Sequence, residues 1–162
     1  LKMPTLTWPA GQTSFRVLGP PRPLMRPRFS KGRVYNPSSG DMRDFLRVAK
    51  PHAPPVLADG GPLSIDMEFV FARPSSHLTS RGGLRVSAPR FHTNMPDVDN
   101  LVKLVLDALN GEFYRDDRQV IAISARKRFA APGEVSSTGV VLTYGVDGAV
   151  PIALELAPAP TQ

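Results

Sequence analysis

Residues 97 to 110 restrict the fold of this chain more than any other segment, because they predict a helix with only a narrow polar side. Asp97 is suited to cap this helix, and Asn110 with Gly111 is suited to end it. At about 100° per residue, counted from Asp99, the apolar residues all fall between about 140° and 340° around the axis. They are Val98, Leu101, Val102, Leu104, Val105, Leu106, Ala108 and Leu109. Such a helix must be sunk into a hydrophobic core.

The polar stripe of this helix consists of Asp99, Asn100, Lys103, Asp107 and Asn110. Asp99 and Lys103 stand one turn apart, a spacing that suits a metal-binding carboxylate beside a phosphate-binding ammonium. The same spacing is typical of an ordinary i, i+4 ion pair worth about 0.3 to 0.5 kcal/mol, with Asp97 acting only as a cap, and taken alone it favours that interpretation. Asp107 fits a solvated or ion-paired position on the stripe.

A second acidic pair favours the metal site over the ion pair. Asp116 and Asp117 follow a short loop after the helix and directly precede a predicted strand. A strand that returns beside the helix would bring three or four carboxylates together. The chain has no cysteine and few histidines, so disulfides, Fe–S clusters and cysteine nucleophiles are excluded and any metal would be held mostly by oxygen.

Charge is distributed in three blocks. Residues 16 to 50 contain nine basic and two acidic side chains, residues 73 to 96 four basic and no acidic ones, and residues 97 to 117 two basic and six acidic ones. The net charge of +6 and the pI of about 10.2 indicate a polyanionic partner such as nucleic acid, with an inert basic surface as the alternative. Carboxylates between basic stretches would repel phosphates, and bound Mg²⁺ or Mn²⁺ would remove that conflict.

The overall pattern predicts one α+β domain, a two-layer α/β sandwich in which two main helices pack on a small mixed β-sheet. Strands are predicted over residues 14–19, 63–71, 119–129 and 137–146, with the last two forming a hairpin. A helix is predicted over residues 40–50, capped by Ser38 or Ser39. Alternating apolar and polar side chains indicate that the strand over 63–71 is half-buried. No run reaches the roughly 20 apolar residues of a membrane span.

The domain boundaries follow from composition. We expect residues 1–12 to be a flexible N-terminal segment, residues 13–146 to form the folded domain, and residues 147–162 to be a Pro- and Ala-rich tail. Within the tail, residues 152–156 could add a short edge strand.

The run from Pro96 to Val120, PDVDNLVKLVLDALNGEFYRDDRQV, resembles the signature of the RusA family of Holliday junction resolvases. That signature is a D-x-D-N-L-x-K helix, an L-D-A-L continuation and D-D-x-Q after a short loop. Upstream, Leu18-Gly19-Pro20, Arg26-Pro27-Arg28 and Val34-Tyr35-Asn36 resemble the opening strand and basic loop of the family. Met95 departs from the pattern, because the family often has Lys or Arg before Pro-Asp.

The resemblance implies a Mg²⁺- or Mn²⁺-dependent endonuclease that acts as a homodimer and makes paired nicks across a four-way DNA junction in recombination and repair. By position, Asp97, Asp99 and Asp117 would be the catalytic metal ligands, Asp116 a supporting acid at the metal, and Lys103 the essential basic residue. Such an enzyme would work in the cytoplasm or nucleoid if its source is bacterial or viral, and in an organelle if it is eukaryotic.

The basic loop supplies the candidates for phosphate contacts, which are Arg22, Arg26, Arg28, Lys31 and Arg33. A loop rich in arginine can follow a non-linear DNA backbone, and a solvated loop with no partner is the alternative. Tyr35 and Phe91 could stack on an opened base, but burial in the protein is the more usual fate of such side chains. His77 and His92 could touch phosphate and are given no catalytic role.

Two other functions fit the same residues. The first is a nuclease for other branched or single-stranded nucleic acid, because carboxylates and arginines do not specify the polymer. The second is a non-catalytic junction-binding module in which the acidic stripe is structural. The pair Asp116 and Asp117 favours a nuclease, since a pure binding module has no need of it.

Overall fold

A mixed four-stranded sheet with two helices on one face forms the frame of the protein. The computed structural model describes residues 11–54 and 61–145. The strands of the main sheet are β1 (Gly11–Leu18), β4 (Leu63–Phe71), β5 (Val120–Phe129) and β6 (Ser137–Tyr144), and a separate two-stranded ribbon is formed by β2 (Arg28–Ser30) and β3 (Arg33–Tyr35). The helices are α1 (Ser39–Ala49) and α2 (Val98–Leu109). The α+β class, with two helices on a mixed sheet, is as predicted.

The strand order in the main sheet is β1-β6-β4-β5. β6 runs antiparallel to both β1 and β4, whereas β4 and β5 run parallel. Parallel neighbours need a crossover connection, and here α2 lies within it. This connection brings the end of the crossover, directly before β5, back beside the helix.

The predicted hairpin of β5 and β6 is wrong, because β4 lies between them. The expectation that β4 is half-buried is also wrong, since even its polar residues Ser64 and Glu68 are buried. Both errors have one cause. β4 is apolar enough to be a central strand and takes a neighbour on each side. The turn at Ala131-Pro132-Gly133 reverses the direction of the chain and carries it past β4, so that β5 and β6 lie on opposite sides of that strand.

The hydrophobic core lies between the helices and one face of the sheet. β4 contributes the alternate residues Ile65, Met67 and Phe69, and β6 contributes Val140 and Leu142. The apolar side of α2 is buried as its periodicity predicts, at Leu101, Leu104, Val105, Ala108 and Leu109. Each buried Leu or Val stabilises the fold by about 1.5 to 3 kcal/mol, so α2 is firmly held and its polar stripe has a fixed direction.

The opposite face of the sheet carries a charged cluster around Glu68. Its carboxylate accepts hydrogen bonds from Arg16 (3.3 Å), Arg126 (3.2 Å) and Arg128 (3.0 Å). A Cβ at Gly139 would lie 3.1 Å from the Arg16 guanidinium. The absence of a side chain at Gly139 therefore gives the Arg16 side chain space to pass over β6 and reach Glu68. The cluster explains how a glutamate can be buried in a central strand.

Several boundaries differ from the predictions. β1 begins at Gly11 rather than at residue 14, and the segment expected to be only a loop contains β2, since Lys31 and Gly32 adopt positive φ angles that permit a tight turn. Ser38 occupies the N-cap position of α1, but its side chain does not cap the helix. Most of the predicted flexible segment 1–12 and the tail 147–162, with its edge strand, lie outside the described residues. None of the helices that the structure describes is long and apolar enough to span a membrane.

Candidate functional site

The polar stripe of α2 forms one wall of an open cavity of about 410 Å³. The opposite wall comes from the 3₁₀ turn Asp117–Gln119 and from β5. The lining residues are Val98, Asp99, Val102, Lys103, Leu106, Asp107, Asp117 and Ala125. Three of the residues predicted to be catalytic, Asp99, Lys103 and Asp117, therefore lie around one cavity.

Asp107 belongs to this cavity, although the sequence indicated only a solvated or ion-paired position. The residue is partly buried, and that burial raises the pKa of its carboxyl group. The positive charge of Lys103 opposes the increase in the pKa, and the negative charge of Asp117 reinforces it. Lys103 thus lies among carboxylates on the helix and on the turn before β5.

Asp97 occupies the N-cap position of α2, but its side chain makes no capping hydrogen bond. It is exposed and is not among the residues that line the cavity. The segment before it is held by Lys127, whose Nζ donates to the carbonyl oxygens of Asn94 (2.9 Å) and Pro96 (2.8 Å). The prediction that the Asp97 side chain caps α2 is therefore wrong. A role of Asp97 in metal binding stays a prediction.

The two neighbouring acids, Asp116 and Asp117, have different surroundings. Both oxygens of Asp116 accept hydrogen bonds from the Arg118 side chain, at 3.0 and 2.9 Å, and one also accepts from the Arg118 amide. These bonds lower the pKa of Asp116 to about 2. Gln119 completes a capping box with Asp116 at the start of the turn. The structure thus gives Asp116 a capping contact and turns Asp117 toward the cavity.

Tyr114 supports Asp117 from inside the protein. Its side chain is fully buried, and its hydroxyl group donates a hydrogen bond to the carbonyl oxygen of Leu106 (3.0 Å). Burial raises the pKa of Tyr114, and the charge of Asp117 and a side-chain hydrogen bond with it raise that pKa further. A neutral hydroxyl group therefore stands next to the Asp117 carboxylate, and it can share its proton between that carboxylate and the Leu106 carbonyl oxygen.

The donor set around the cavity suits a hard divalent cation. Within residues 11–54 and 61–145, no three acidic or imidazole side chains are close enough together to hold a metal by themselves. Mg²⁺ seldom needs such a cage, since it usually binds one or two carboxylates and completes its shell with water and substrate phosphates. Asp99 and Asp117 could supply those carboxylates.

The five predicted phosphate-binding residues are all exposed. Arg26 and Arg28 line a second cavity together with Met95, Pro96 and Asn100, at the start of α2. Arg22 lies elsewhere, in a cavity between the end of β1 and α1. The structure therefore brings part of the basic loop next to the helix that carries Asp99.

The aromatic and histidine residues behave differently from expectation. Tyr35 and Phe91 are exposed rather than buried. Tyr35 lies on the separate ribbon, and the Arg90 guanidinium lies over the Phe91 ring, 5.4 Å from its centroid. His92 stacks on Phe71 with ring centroids 3.9 Å apart. A ring packed in this way is poorly placed to touch phosphate.

Three residues with a place at the site were not predicted to have one: Asp107, Tyr114 and Lys127. Asp107 had a visible signal, since it lies on the same helical stripe as Asp99 and Lys103. The sequence signal for Lys127 was weaker. Lys127 is a charged residue at a core-facing position of a predicted strand, and such a residue needs a polar partner. Nothing in the local sequence indicated that the Tyr114 hydroxyl group reaches Asp117.

Comparison with known proteins identifies the family of this chain. Residues 19–136 match the family model described as endodeoxyribonuclease RusA, and this range includes α2, the cavity and the basic loop. The chain is also 33% identical over 124 residues to the uncharacterized protein YqaN of Bacillus subtilis (strain 168), an alignment that covers 72% of this chain and 87% of that protein. This chain therefore belongs to the RusA family of endodeoxyribonucleases.

Proposed function

We propose that the protein is a Mg²⁺- or Mn²⁺-dependent endodeoxyribonuclease that resolves four-way DNA junctions by paired nicks. The observation that carries the proposal is the cavity in which Asp99, Lys103 and Asp117 meet, beside the exposed arginines of the basic loop. Family membership supplies the class of reaction, which is cleavage of DNA within the strand.

The residues of the chain divide the work between them. Asp99 and Asp117, with Asp97 at the start of the helix, would hold the cation, which supplies an activated water and neutralises charge on the phosphate. Lys103 lines the same cavity, where its ammonium group can stabilise the extra negative charge of the transition state. Arg26 and Arg28 bind the neighbouring phosphates and so orient the scissile bond.

A homodimer fits the proposed substrate. A four-way junction has approximate two-fold symmetry, and paired nicks need two active sites related by a similar axis, which a C2 dimer provides. We therefore propose that two copies of the chain act together on one junction. The proposed site of action is the compartment that contains the DNA of the source organism.

The test is a cleavage assay on a labelled synthetic four-way junction and on a linear duplex, with Mg²⁺ and with EDTA. We expect metal-dependent, symmetric nicks confined to the junction. Asp99→Asn should abolish them while junction binding remains, because the substitution keeps the shape of the side chain and removes its charge. Asp44→Asn is the matched control, since Asp44 is exposed on α1 and pairs only with Arg47 among the described residues.

The outcomes separate the proposal from its alternatives. Equal degradation of both substrates would indicate a broader nuclease, and binding without cleavage under either cation would indicate a non-catalytic module. Retained cleavage by Asp99→Asn would contradict the assignment of the cavity.

A further inference from the structure

The two-stranded ribbon of β2 and β3 has two chemically different faces. Its register pairs Arg28 with Tyr35, Phe29 with Val34 and Ser30 with Arg33. Paired residues of a ladder point to the same side, so Phe29 and Val34 share one face, while the other carries Arg28, Arg33 and Tyr35. The ribbon is therefore apolar on one side and basic on the other.

The apolar face has no cover among the described residues. The exposed fraction is 73% for Phe29 and 72% for Val34, and both lie outside the hydrophobic core. An exposed phenylalanine on so short a ribbon contributes no hydrophobic stabilisation to the fold, which indicates a partner that buries it. The chemistry of that partner follows from the charges around it.

The charges around the ribbon all have one sign. Residues 19 to 40 contain no acidic side chain, and Arg26, Arg28, Lys31 and Arg33 are exposed on or beside the ribbon. A partner must therefore offer negative charge and a flat apolar surface together. Unstacked nucleotides provide both, as phosphates and as base faces, and proteins that bind them combine cationic and aromatic side chains in this way.

The base of the ribbon is firmly attached. Ser38 is fully buried, and its Oγ accepts a hydrogen bond from the Met25 amide (2.8 Å), so the two ends of the ribbon segment are joined. Next to this bond, the Leu24 amide donates to the carbonyl oxygen of Asn100 (2.8 Å). The ribbon is thus anchored to the first turn of α2, one residue from Asp99.

We propose that this ribbon opens the branch point of the DNA junction. Phe29, supported by Val34, stacks on a base that has left the duplex, while Arg28 and Arg33 bind the flanking phosphates. Because the base of the ribbon is attached to the start of α2, the opened strand is held close to the cavity of Asp99 and Asp117. The inference rests on the proposed function, since it places the opened base at the branch point of the junction.

The experiment uses a four-way junction with 2-aminopurine at the branch point, and a linear duplex of the same sequence, in EDTA so that no cleavage occurs. The fluorescence of 2-aminopurine rises when the base leaves the stack. We expect the full-length protein to raise it on the junction, and Phe29→Ala to abolish the rise and weaken junction binding by about 5- to 100-fold, while binding to the duplex is unchanged.

Two variants make the result specific. Phe29→Trp keeps an aromatic face and should restore junction binding, which a purely structural role of Phe29 would not require. Val135→Ala removes another exposed apolar side chain, from the turn between β5 and β6, and should leave binding unaltered. Melting temperatures of all variants, which should agree closely because Phe29 is exposed, establish that each is folded.

Several results would overturn the proposal. Equal effects of Phe29→Ala on junction and duplex would reduce the ribbon to a general DNA contact, and no effect on either would remove it from the interface. A change of oligomeric state in Phe29→Ala, measured by sedimentation, would show that a second copy covers the apolar face. In each of these cases wild-type cleavage of junctions would still stand, whereas failure of the wild type to select junctions would refute the proposed function itself.

Discussion

Replacing Tyr114 by Phe isolates the contribution of one buried hydroxyl group to the candidate site. The hydroxyl group donates a hydrogen bond to the Leu106 carbonyl oxygen (3.0 Å) and lies next to the Asp117 carboxylate, with which it can share its proton. In Tyr114→Phe the Leu106 carbonyl oxygen loses this donor but keeps its helical bond to the Asn110 amide (3.0 Å), and the Asp117 carboxylate loses its neighbouring hydroxyl group. We expect a loss of about 1 kcal/mol in the free energy of unfolding, because phenylalanine fills the same space.

The effect on metal binding should be larger than the effect on stability. Removal of a group that orients a metal-binding side chain typically lowers metal affinity or activity by about 10- to 100-fold. The Mg²⁺ concentration that gives half-maximal junction cleavage should therefore rise by about 10-fold or more in Tyr114→Phe, while the rate at saturating Mg²⁺ falls less.

The assay is a Mg²⁺ titration of the cleavage rate, with the melting temperature measured in parallel. Tyr144→Phe is the matched control, since Tyr144 lies at the end of β6 and makes no side-chain hydrogen bond within the described parts of the chain. An unchanged Mg²⁺ requirement in Tyr114→Phe would refute the reasoning, because it would mean that Asp117 is oriented without the hydroxyl group or does not bind the cation.

Three further predictions concern the stability of the fold. Glu68→Gln removes the carboxylate that three partly exposed arginines share. It should lower the free energy of unfolding, measured in urea, by about 2 to 3 kcal/mol. The control Asp44→Asn, at an exposed residue, should lower it by less than about 0.5 kcal/mol. Burial opposes ionisation of Glu68, but the bonds and charges of its arginines outweigh burial and lower its pKa below 4.5. The stability that this glutamate provides is present above pH 4.5 and should be lost as the pH falls through the lower, folded-state value. Burial, and then the charge of Lys127, lower the pKa of His92 below 6.5, so the melting temperature should already decrease as the pH falls below 6.5. His92→Phe should flatten that first decrease and leave the second, and an unaltered pH profile in this variant would contradict the assignment.

The central helix shows how far the sequence alone could lead. Its bounds, its buried side and the stripe of Asp99, Lys103 and Asp107 follow from the spacing of apolar residues, because a period of 3.6 fixes which side chains share a side. The core confirms that side at Leu101, Val105 and other positions. The sequence also indicated that the acids before β5 come back toward the helix, and the structure brings Asp117 there.

Strand pairing, by contrast, could not be read from neighbouring residues. The short turn between β5 and β6 is compatible with a hairpin. In the structure β4 lies between these two strands, because its apolar residues are buried best in the centre of the sheet. The three arginines that hold Glu68 come from β1 and β5, which are distant in sequence from β4. No local pattern predicts such a cluster.

The sequence by itself determined the helix, the position of its acidic stripe, the basic loop and the family. Those features depend on periodicity and on the order of residues along one segment, and both are visible without a fold. Only the tertiary structure decided that Asp116 caps a turn while Asp117 faces the cavity, that Tyr114 stands behind it, and that the ribbon leaves Phe29 in solvent. These outcomes depend on contacts between segments far apart in the chain, and the energy of such contacts exists only once the segments are packed together.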